Sequence, residues 1–339
     1  MMVWKRFYGL SGYWDEALTG SEDYNVFQSY EWGEFKKTTG WVPERWIARD
    51  ESGSIVGMVQ ILLKSFPLGI KIGWAPGGPV FISKKSSTID FDNILSGLAE
   101  TVCENNGAIL TRFNSQLCYD QLASYTFNKY FKRPFFRLNS DYSIKFNLRF
   151  SMDELRARMT SKHRYNLNKS LKNKIQWEFG NEERFIKDFY ILYKEMLEIK
   201  ELKRRAFSQS ELYAVCRVLG EKAGFITGYL DGTAVSSCLF LCFQRKAFHM
   251  KAASGRLGRR LKASYSMNYK LMEYLKNNGY ETLDFGGIDP VSSESKGVNN
   301  FKMGFGGELI EYIGEWEWAN TKWLRWIVNL AIGLRNRNI

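Results

Sequence analysis

The chain repeats one order of secondary-structure elements, and this repeat constrains its fold more than any other feature. Alternating apolar residues over 45–113 predict three strands, the first two joined by a turn at Gly53, and then a helix and a last strand. Residues 224–288 predict the same series, with the turn at Gly232. The repeat indicates two copies of one α/β (α+β) unit, each a mixed sheet with flanking helices.

The predicted elements recur at a nearly constant offset, since Gly53 and Gly232 lie 179 residues apart and the helix-ending Gly107 and Gly279 lie 172 apart. The strands are 45–48, 55–63, 70–74 and 108–113 in the first copy and 224–229, 234–242, 247–252 and 282–285 in the second, and the helices are 92–105 and 264–277. Residues 151–220, between the copies, predict helices, since apolar residues from Phe185 to Leu197 recur at helical spacing. Ser208 and Glu211 form a capping-box pattern that starts a further helix.

Residues 284–307 concentrate glycine in two pairs, Gly286-Gly287 and Gly306-Gly307, close to the lone lysine Lys302. Glycine pairs after a strand indicate a backbone that another group approaches closely. Phe and Met flank the lysine. It is therefore either a surface residue whose aliphatic chain covers apolar neighbours or a cation directed at a buried anion.

This segment resembles the C-terminal signature of the Fem family of peptidoglycan branching enzymes, which join an amino acid from aminoacyl-tRNA to an amine of a cell-wall precursor. Residues 27–29 (Phe-Gln-Ser), with Trp32, Lys36 and the Gly-Trp pair at 40–41, resemble the N-terminal signature of the same family. Residues 75–80 (Ala-Pro-Gly-Gly-Pro-Val) resemble its Gly-Pro-Val turn. The resemblance implies two tandem acyltransferase domains of the GNAT type.

We therefore expect a GNAT-like domain over residues 1–148, completed by residues 316–339, and a second over residues 149–315. A chain of 339 residues suffices for two such cores. It has no room for the long paired-helix arm of some Fem enzymes, so it resembles the compact members of the family. A monomer is expected.

Charge and composition indicate which classes of partner and which cellular compartment to expect. The net charge of +12 favours anionic partners, which include RNA, pyrophosphate carriers and the inner face of a membrane. The five cysteines have neither a zinc spacing nor a disulfide framework, and we expect buried, reduced thiols. The first residues lack a secretory signal pattern, and no apolar run approaches the roughly 20 residues of a membrane span. A cytoplasmic protein is predicted.

Several kinds of catalytic chemistry are disfavoured. The only histidines, His163 and His249, lie far apart in the sequence and belong to no nucleophile motif. We expect no metal site and no tightly bound cofactor. Acyl transfer to an amine requires two aligned substrates, a proton acceptor and a group that stabilises an oxyanion.

The resemblance assigns roles to residues near the ends of the predicted last strands. It implies that Lys302, beside Phe301, counters oxyanion charge or holds phosphate. Gly286 and Gly287 would line the substrate site. Asn114 stands where the family commonly has an aspartate, and this departure leaves the identity of the acceptor open.

The resemblance also implies residues that hold the acceptor's phosphates. Lys36 and Trp32 lie on the N-terminal signature, whose lysine contacts a diphosphate. Arg205, with Tyr213 eight residues further along, stands where the family has an arginine and a tyrosine with the same task, although the adjacent Arg204 is an alternative.

Two basic tracts remain. Residues 156–174 contain no acid, and such a helix is either a solvated face or one that meets RNA or a lipid-linked diphosphate. Residues 254–262 lie where GNAT enzymes bind the pyrophosphate of coenzyme A. The residues predicted to bind phosphate or RNA are Arg164, Lys169, Arg256, Arg259 and Arg260.

The C-terminal segment has an apolar stripe. The residues on one helical face are Trp323, Trp326, Ile327, Leu330 and Leu334. Such a helix either closes the first domain with its apolar face buried, which an apolar stripe favours, or lies on a membrane surface near a lipid-linked acceptor.

The leading hypothesis is a Fem-type aminoacyltransferase that takes its donor from aminoacyl-tRNA and acts on a nucleotide- or lipid-linked precursor in the cytoplasm or at the inner face of the membrane. An N-acyltransferase that uses acyl-coenzyme A in surface polysaccharide synthesis is the alternative. An inactive RNA- or membrane-binding protein ranks third.

Overall fold

The chain forms strands and helices throughout residues 2–82, 90–201, 208–290 and 295–337, which the computed structural model describes. The strands are β1 Val3–Arg6, β2 Val42–Arg49, β3 Ile55–Ser65, β4 Lys71–Gly77, β5 Val80–Phe81, β6 Leu110–Cys118, β7 Tyr142–Asn147, β8 Gln176–Gly180, β9 Ala223–Leu230, β10 Thr233–Phe243, β11 Lys246–Ser254, β12 Thr282–Ile288 and β13 Glu308–Ala319. The helices are α1 Ser11–Leu18, α2 Tyr30–Lys37, α3 Phe91–Gly97, α4 Gln121–Tyr130, α5 Met152–Arg158, α6 Ser161–Leu171, α7 Glu183–Ile199, α8 Gln209–Leu219, α9 Arg256–Arg260, α10 Ala263–Asn277, α11 Lys296–Met303 and α12 Lys322–Arg337.

The chain divides into two compact units. Unit 1 comprises residues 1–141 and 311–338, and unit 2 comprises residues 142–310. The boundary expected at residue 148 falls after β7. Strand β7 pairs with β12 in the sheet of unit 2, so this unit begins at Tyr142.

The two units share one strand plan. In unit 1 the strands β1, β2, β3 and β4 pair antiparallel in that order, and β4 pairs parallel with β6 after a crossover through α3. In unit 2 the strands β8, β9, β10 and β11 pair antiparallel, and β11 pairs parallel with β12 after a crossover through α10. The turn glycines Gly53 and Gly232 both have positive φ, 81° and 76°. The repeat seen in the sequence is confirmed, as is the mixed α/β fold.

The last strand of each sheet comes from outside the repeat. Strand β7, which follows the first copy in the chain, pairs antiparallel with β12. Strand β13, which follows the second copy, pairs antiparallel with β6. Each copy is therefore completed by a strand that the chain supplies after the other copy.

One prediction for the segment between the copies was incomplete. Residues 151–220 were expected to be helical, and α5 to α8 lie there, but β8 interrupts them and pairs with β9. The apolar residues Trp177 and Phe179 in this strand, with Ile175 directly before it, recur at every second position, which is the period of a half-buried strand. The capping box at Ser208 and Glu211 is present as predicted.

Each unit has its own apolar core. The core of unit 1 packs α3 and α4 against one face of its sheet and includes Trp316 of β13. The core of unit 2 packs α6 and α10 against its sheet. Four of the cysteines are buried, whereas Cys118 at the end of β6 is exposed, so the prediction of buried thiols fails at that residue.

Helix α12 attaches to unit 1 through polar side chains. Asn329 is fully buried, and its amide donates to Glu317 at 2.7 Å. Glu317 also accepts from Arg112 at 2.8 Å and from Arg325 at 2.6 Å. The carboxylate of Glu315 on the same strand accepts from the backbone N–H of Leu138 and of Asn139. Burial raises the pKa of Glu315, although these hydrogen bonds oppose the shift.

The apolar stripe of α12 faces away from the residues that the structure describes in unit 1. Trp323 is 60% exposed and Trp326 is 57% exposed. The other exposed members of the stripe are Ile327, Leu330 and Leu334. The favoured expectation, a helix with its apolar face in the core, was therefore wrong about which face is buried, because Asn329 and Arg325 reach ion-paired partners inside unit 1.

Candidate active site

Lys302 lies on α11, and its ammonium group reaches back to the end of β12. The Nζ atom donates to the carbonyl oxygen of Gly287 at 2.8 Å and of Gly286 at 3.2 Å. An ammonium group has three N–H donors. One donor therefore has no acceptor among the described residues and is available to another group.

Asp284 fixes the backbone turn that offers these carbonyls. Its Oδ1 accepts from the backbone N–H of Gly286 at 2.7 Å and from the hydroxyl of Ser143. Gly286 has a φ of 74°, a conformation that favours glycine. The first Gly-Gly pair is thus explained by a turn that brings two carbonyl oxygens to one lysine.

The surroundings of Lys302 lower its pKa, so its ammonium group loses a proton more readily than that of an ordinary lysine. Burial lowers the pKa of Lys302 from its ordinary value of 10.5 to about 8. The carboxylate of Asp284 raises this pKa, and the ammonium group of Lys251 on β11 lowers it. Burial and the charge of Lys302 also lower the pKa of His249 to about 4, so His249 is neutral near pH 7. The result is a cationic site in which backbone oxygens hold Lys302 and a second lysine, Lys251, lies close enough to affect its charge.

Phe301 belongs to a cluster of aromatic rings that holds α11 in place. Its ring lies 5.2 Å from that of Phe305 and 5.3 Å from that of Tyr265. The ring of His163 on α6 packs in the same cluster, 5.8 Å from Phe301, and its Nε2 lies 2.9 Å from the carbonyl oxygen of Phe301. Burial lowers the pKa of His163, which favours the neutral ring. Phe301 therefore supports the position of Lys302 through packing.

The second Gly-Gly pair and Gly304 allow α11 to end against α5 and α6. A Cβ atom on Gly304 would lie 1.9 Å from the ring of His163. A Cβ atom on Gly306 would lie 2.3 Å from the carbonyl oxygen of Arg158. These glycines therefore allow the end of α11 to pack closely against His163 and the backbone of Arg158.

The N-terminal signature forms a separate cluster in unit 1. The ammonium group of Lys36 lies 5.0 Å from the ring of Trp32, 5.0 Å from that of Phe35 and 5.8 Å from that of Trp74. The indole N–H groups of Trp32 and Trp74 are buried, and neither has a hydrogen-bond partner in the described part of the chain. A cation and two unpaired N–H donors thus occupy one cluster.

Asn114 lies in the middle of the unit 1 sheet. It pairs with Pro76 on β4 and with Glu315 on β13, and its side chain is half-buried. The described residues provide no acceptor or donor for its amide. The structure describes no part of residues 202–207, so Arg205 and Arg204 lie outside the described residues. Tyr213 lies on α8, where its hydroxyl donates to Glu183 at 3.2 Å.

The residues predicted to bind phosphate or RNA differ in how far they are already engaged. Arg164 donates to the carbonyl oxygens of Ala157 and Met159 at the end of α5, so its guanidinium serves local structure. Lys169 is exposed and lies 4.7 Å above the ring of Tyr165. Arg259 and Arg260 are exposed on α9.

The loop before α9 was predicted to bind a pyrophosphate, but a carboxylate from α7 lies against it. Glu195 on α7 accepts from the backbone N–H of Arg256 at 2.9 Å, and its other oxygen would lie 2.3 Å from a Cβ atom on Gly255. Gly258 packs against the carbonyl oxygen of Val235 so closely that a Cβ atom would lie 2.0 Å from it. A negative charge already occupies this loop and would repel a pyrophosphate.

Sequence reasoning gave no role to Asp284, Lys251, Ser143 and His163. Asp284 could have been found, since an aspartate two residues before a glycine commonly accepts a hydrogen bond from that glycine's backbone in a turn. The others lie far from Lys302 in the sequence, and only the pairing of β7 and β11 with β12 and the packing of α6 bring them close.

The described residues contain no group of three or more His, Cys, Asp or Glu side chains that could hold a metal ion. Among them, no helix is both long enough and apolar enough to span a membrane.

Comparison with solved structures identifies the fold. The crystal structure of FemX matches with a TM-score of 0.83 at 19% identity, over 96% of this chain and 100% of that chain. A tandem GNAT protein from the clavulanic acid biosynthesis pathway matches with a TM-score of 0.53 at 9% identity, over 94% and 98% of the two chains. The protein therefore has the tandem GNAT-type acyltransferase fold.

Comparison of sequences finds similarity to the FemAB family in part of the chain. The FemAB family model matches residues 198–331. The lipid II:glycine glycyltransferase of Staphylococcus aureus (strain USA300) is 32% identical over 92 residues, which are 26% of this chain and 22% of that protein. The enzyme of the same name from Staphylococcus haemolyticus (strain JCSC1435) is 27% identical over 129 residues, 36% of this chain and 31% of that protein. The chain thus spans less than a third of the curated relatives it matches. This chain is therefore similar to the FemAB family over residues 198–331, which is less than half of its length.

Proposed function

We propose that this protein transfers an amino acid from aminoacyl-tRNA to an amine of a cell-wall precursor. The names of its relatives support a glycyl-type transfer to a lipid-linked acceptor. The observation that carries the proposal is Lys302, a cation tied to two carbonyl oxygens that keeps one N–H donor available.

In the proposed reaction the acceptor's amine attacks the ester carbonyl carbon of the donor. A C–N bond forms, the carbonyl oxygen becomes an oxyanion, and the C–O bond to the ribose of the tRNA then breaks. The amine proton is transferred finally to the ribose oxygen that leaves. Lys302 would donate its third N–H to the oxyanion, and an interaction of this kind typically contributes about 100-fold or more in rate.

The acceptor's phosphates fit the cluster around Lys36. A phosphate group binds to cations, and this cluster offers the ammonium group of Lys36, which lies over the rings of Trp32 and Trp74. We propose that Lys36 and Trp32 bind the diphosphate of a nucleotide- or lipid-linked precursor. Arg205, Tyr213 and Asn114 remain candidates for further contacts with this acceptor.

Helix α12 supports an acceptor that is anchored in a membrane. Its exposed stripe of two Trp, two Leu and one Ile side chains is suited to the interface of a bilayer, and the protein carries a net charge of +12. We propose that α12 rests on the inner face of the membrane while the rest of the protein stays in the cytoplasm. A putative lysylphosphatidylglycerol synthetase domain from Agrobacterium fabrum, with a TM-score of 0.57 at 13% identity over 94% of this chain and 95% of its own, shares the fold.

Glu195 favours aminoacyl-tRNA over coenzyme A as the donor. Its carboxylate accepts from Arg256 in the loop where GNAT enzymes bind pyrophosphate. Coenzyme A would have to displace this carboxylate and would meet its charge.

The test is a transfer assay with purified protein. Lipid II and its nucleotide-linked precursor are each incubated with tRNA charged with a mixture of labelled amino acids, or with acetyl-coenzyme A, and mass spectrometry detects the new amide. We expect a product only with charged tRNA. Lys302→Met should lose about 100-fold or more of the rate.

Lys296→Met is the matched control, because Lys296 lies on the same helix and is exposed. It should transfer at the wild-type rate. A product formed only from acetyl-coenzyme A, or equal rates for the two lysine variants, would contradict the proposal.

A further inference from the structure

We infer that the exposed face of α6 is an RNA-binding surface, and, on the proposed function, that it receives the tRNA of the donor. We call this surface the α6 face and define it by Lys162, Tyr165, Lys169, Lys172 and Lys262. The first four are exposed on or directly after α6, and Lys262 precedes α10.

The α6 face lies in two stretches of sequence that lack acids. Neither residues 155–177 nor residues 232–272 contain an Asp or Glu. The basic residues of the two stretches are Arg156, Arg158, Lys162, Arg164, Lys169, Lys172, Lys174, Arg245, Lys246, Lys251, Arg256, Arg259, Arg260, Lys262 and Lys270. Arg245, Arg256 and Lys270 pair with Glu281, Glu195 and Glu273 from outside the two stretches. A helix face with an excess of one charge, such as that of α6, repels itself unless an anion binds there.

The fold brings the two stretches together. The hydroxyl groups of Ser170 and Ser266 lie 2.6 Å apart, and the amide of Asn173 donates to the carbonyl oxygen of Leu261 at 2.9 Å. These contacts join the end of α6 to the start of α10. Lys262, directly before α10, therefore lies beside the basic residues of α6.

An exposed aromatic ring lies among these charges. Tyr165 is 57% exposed, and the ammonium groups of Lys169 and Lys262 lie 4.7 Å and 5.7 Å from its ring centre. Lys262 has a φ of 56° and donates to Asn166, so an uncommon backbone conformation places its ammonium group beside the ring. Residues in such conformations cluster at ligand sites.

A flat ring flanked by cations is suited to nucleic acid. An unpaired base stacks on an aromatic ring while the ammonium groups meet the phosphates on either side of it. A membrane is a poorer fit, because the large exposed apolar side chains of α6 are only Tyr165 and Leu171, whereas α12 exposes five. The α6 face thus favours RNA.

The opposite side of α6 leads to the candidate active site. His163, two residues before Tyr165, contacts the carbonyl oxygen of Phe301 at 2.9 Å, and Lys302 follows directly. Helix α6 therefore carries the proposed RNA contacts on its exposed face, and its buried face contacts α11, the helix that carries Lys302.

The test measures binding without transfer. Fluorescence anisotropy gives the Kd of labelled, uncharged tRNA over a range of salt concentrations. We expect the double variant Lys169→Gln and Lys172→Gln to bind about 10-fold more weakly, with a salt dependence reduced by nearly two counterions. Tyr165→Ser should bind about 5- to 100-fold more weakly, as the loss of one stacked base predicts.

Helix α7 offers a matched control, since Lys194 lies 5.8 Å above the ring of Tyr190 in the same unit but with Glu195 and Glu198 close in sequence. The variants Lys194→Gln and Tyr190→Ser should bind tRNA like the wild type. Equal losses in both sets, or an α6-face variant that loses binding to anionic vesicles but keeps its affinity for tRNA, would overturn the inference.

The same assay separates this inference from the proposed function. If the wild type transfers amino acids but the α6-face variants retain wild-type affinity for tRNA, the RNA surface lies elsewhere and the inference fails. If the α6-face variants lose tRNA affinity while no transfer is found with any acceptor, the inference stands and the proposed function fails.

Discussion

The carbonyl oxygen of Gly287 accepts a 2.8 Å hydrogen bond from the ammonium group of Lys302. This contact ties a side chain on α11 to the end of β12, and Asp284 holds the intervening turn. Backbone oxygens thereby fix the lysine in position, and no described carboxylate forms an ion pair with it. A fixed, partly desolvated cation of this kind is what an oxyanion requires.

The charge state of Lys302 gives the first prediction. Because its pKa is lowered to about 8, transfer that needs the ammonium cation should fall as the pH rises through 8. A lysine that acted as a general base would give the opposite trend, with a rate that rises through the same pH. The pH dependence of transfer and NMR titration of labelled lysine side chains both measure this.

Two substitutions near Lys302 should move this pKa in opposite directions. Asp284→Asn removes the charge that raises it and should shift the titration below 8, while Asn can still accept from Gly286. Lys251→Met removes the charge that lowers it and should shift the titration above 8. Shifts of the same sign in both variants would refute this account of the site.

Gly304 should tolerate no side chain. Gly304→Ala would place a Cβ atom 1.9 Å from the ring of His163, and overpacking of this kind costs about 1–3 kcal/mol of unfolding free energy. Gly297→Ala on the same helix meets no atom within 4 Å and should be neutral or stabilise by up to about 1 kcal/mol. Urea unfolding measures both variants, and equal midpoints would show that α11 does not pack on His163 as described.

The exposed stripe of α12 should bind membranes. The double variant Trp326→Gln and Leu330→Gln removes two large apolar side chains from it and should lower the fraction of protein that floats with anionic vesicles at least several-fold. Leu122 and Tyr125 on α4 are also exposed, at 66% and 65%, and the corresponding double Gln variant should float like the wild type. Flotation that is unchanged by the α12 substitutions would place the membrane contact elsewhere.

Glu317 should be essential for the stability of unit 1. Glu317→Ala leaves Arg112 without its 2.8 Å carboxylate partner in a buried position, and breaking such a pair costs about 3–5 kcal/mol. Glu308 begins the same strand and is exposed, so Glu308→Ala should change the unfolding free energy by less than about 0.5 kcal/mol. Denaturant unfolding checks both, and similar losses would argue against the buried network.

The sequence predicted those features that depend on local pattern. The strands of both copies and the capping box at Ser208 follow from residues that are close in the chain. The pairing of β7 with β12 does not, because strand partners are chosen by contacts between distant residues. The return of the C-terminal segment to unit 1 was expected, but from the family resemblance and not from local pattern. The orientation of α12 was missed for a related reason, since a hydrophobic stripe says nothing about a buried Asn329 that finds Glu317 on a strand.

The sequence indicated the segment that carries Lys302 but not the residues from other elements that surround it. The glycine pairs and Lys302 stand out in one short segment, whereas Lys251 and His163 become neighbours of that segment only through the sheet of unit 2 and the packing of α6. Arg164 and Arg256 were predicted to bind phosphate because of their charge. In the structure the guanidinium of Arg164 donates to the carbonyl oxygen of Met159, and that of Arg256 lies 3.7 Å from the carboxylate of Glu195.

The exchanged strand β13 has a consequence for biosynthesis. Strand β6 can gain its final partner only after the ribosome has made residues 311–319, since β13 supplies that partner. Until then the nascent chain presents an unpaired sheet edge, which is a site for aggregation or for a chaperone. Slow translation late in the message should therefore prolong the time during which the first half of the protein is vulnerable.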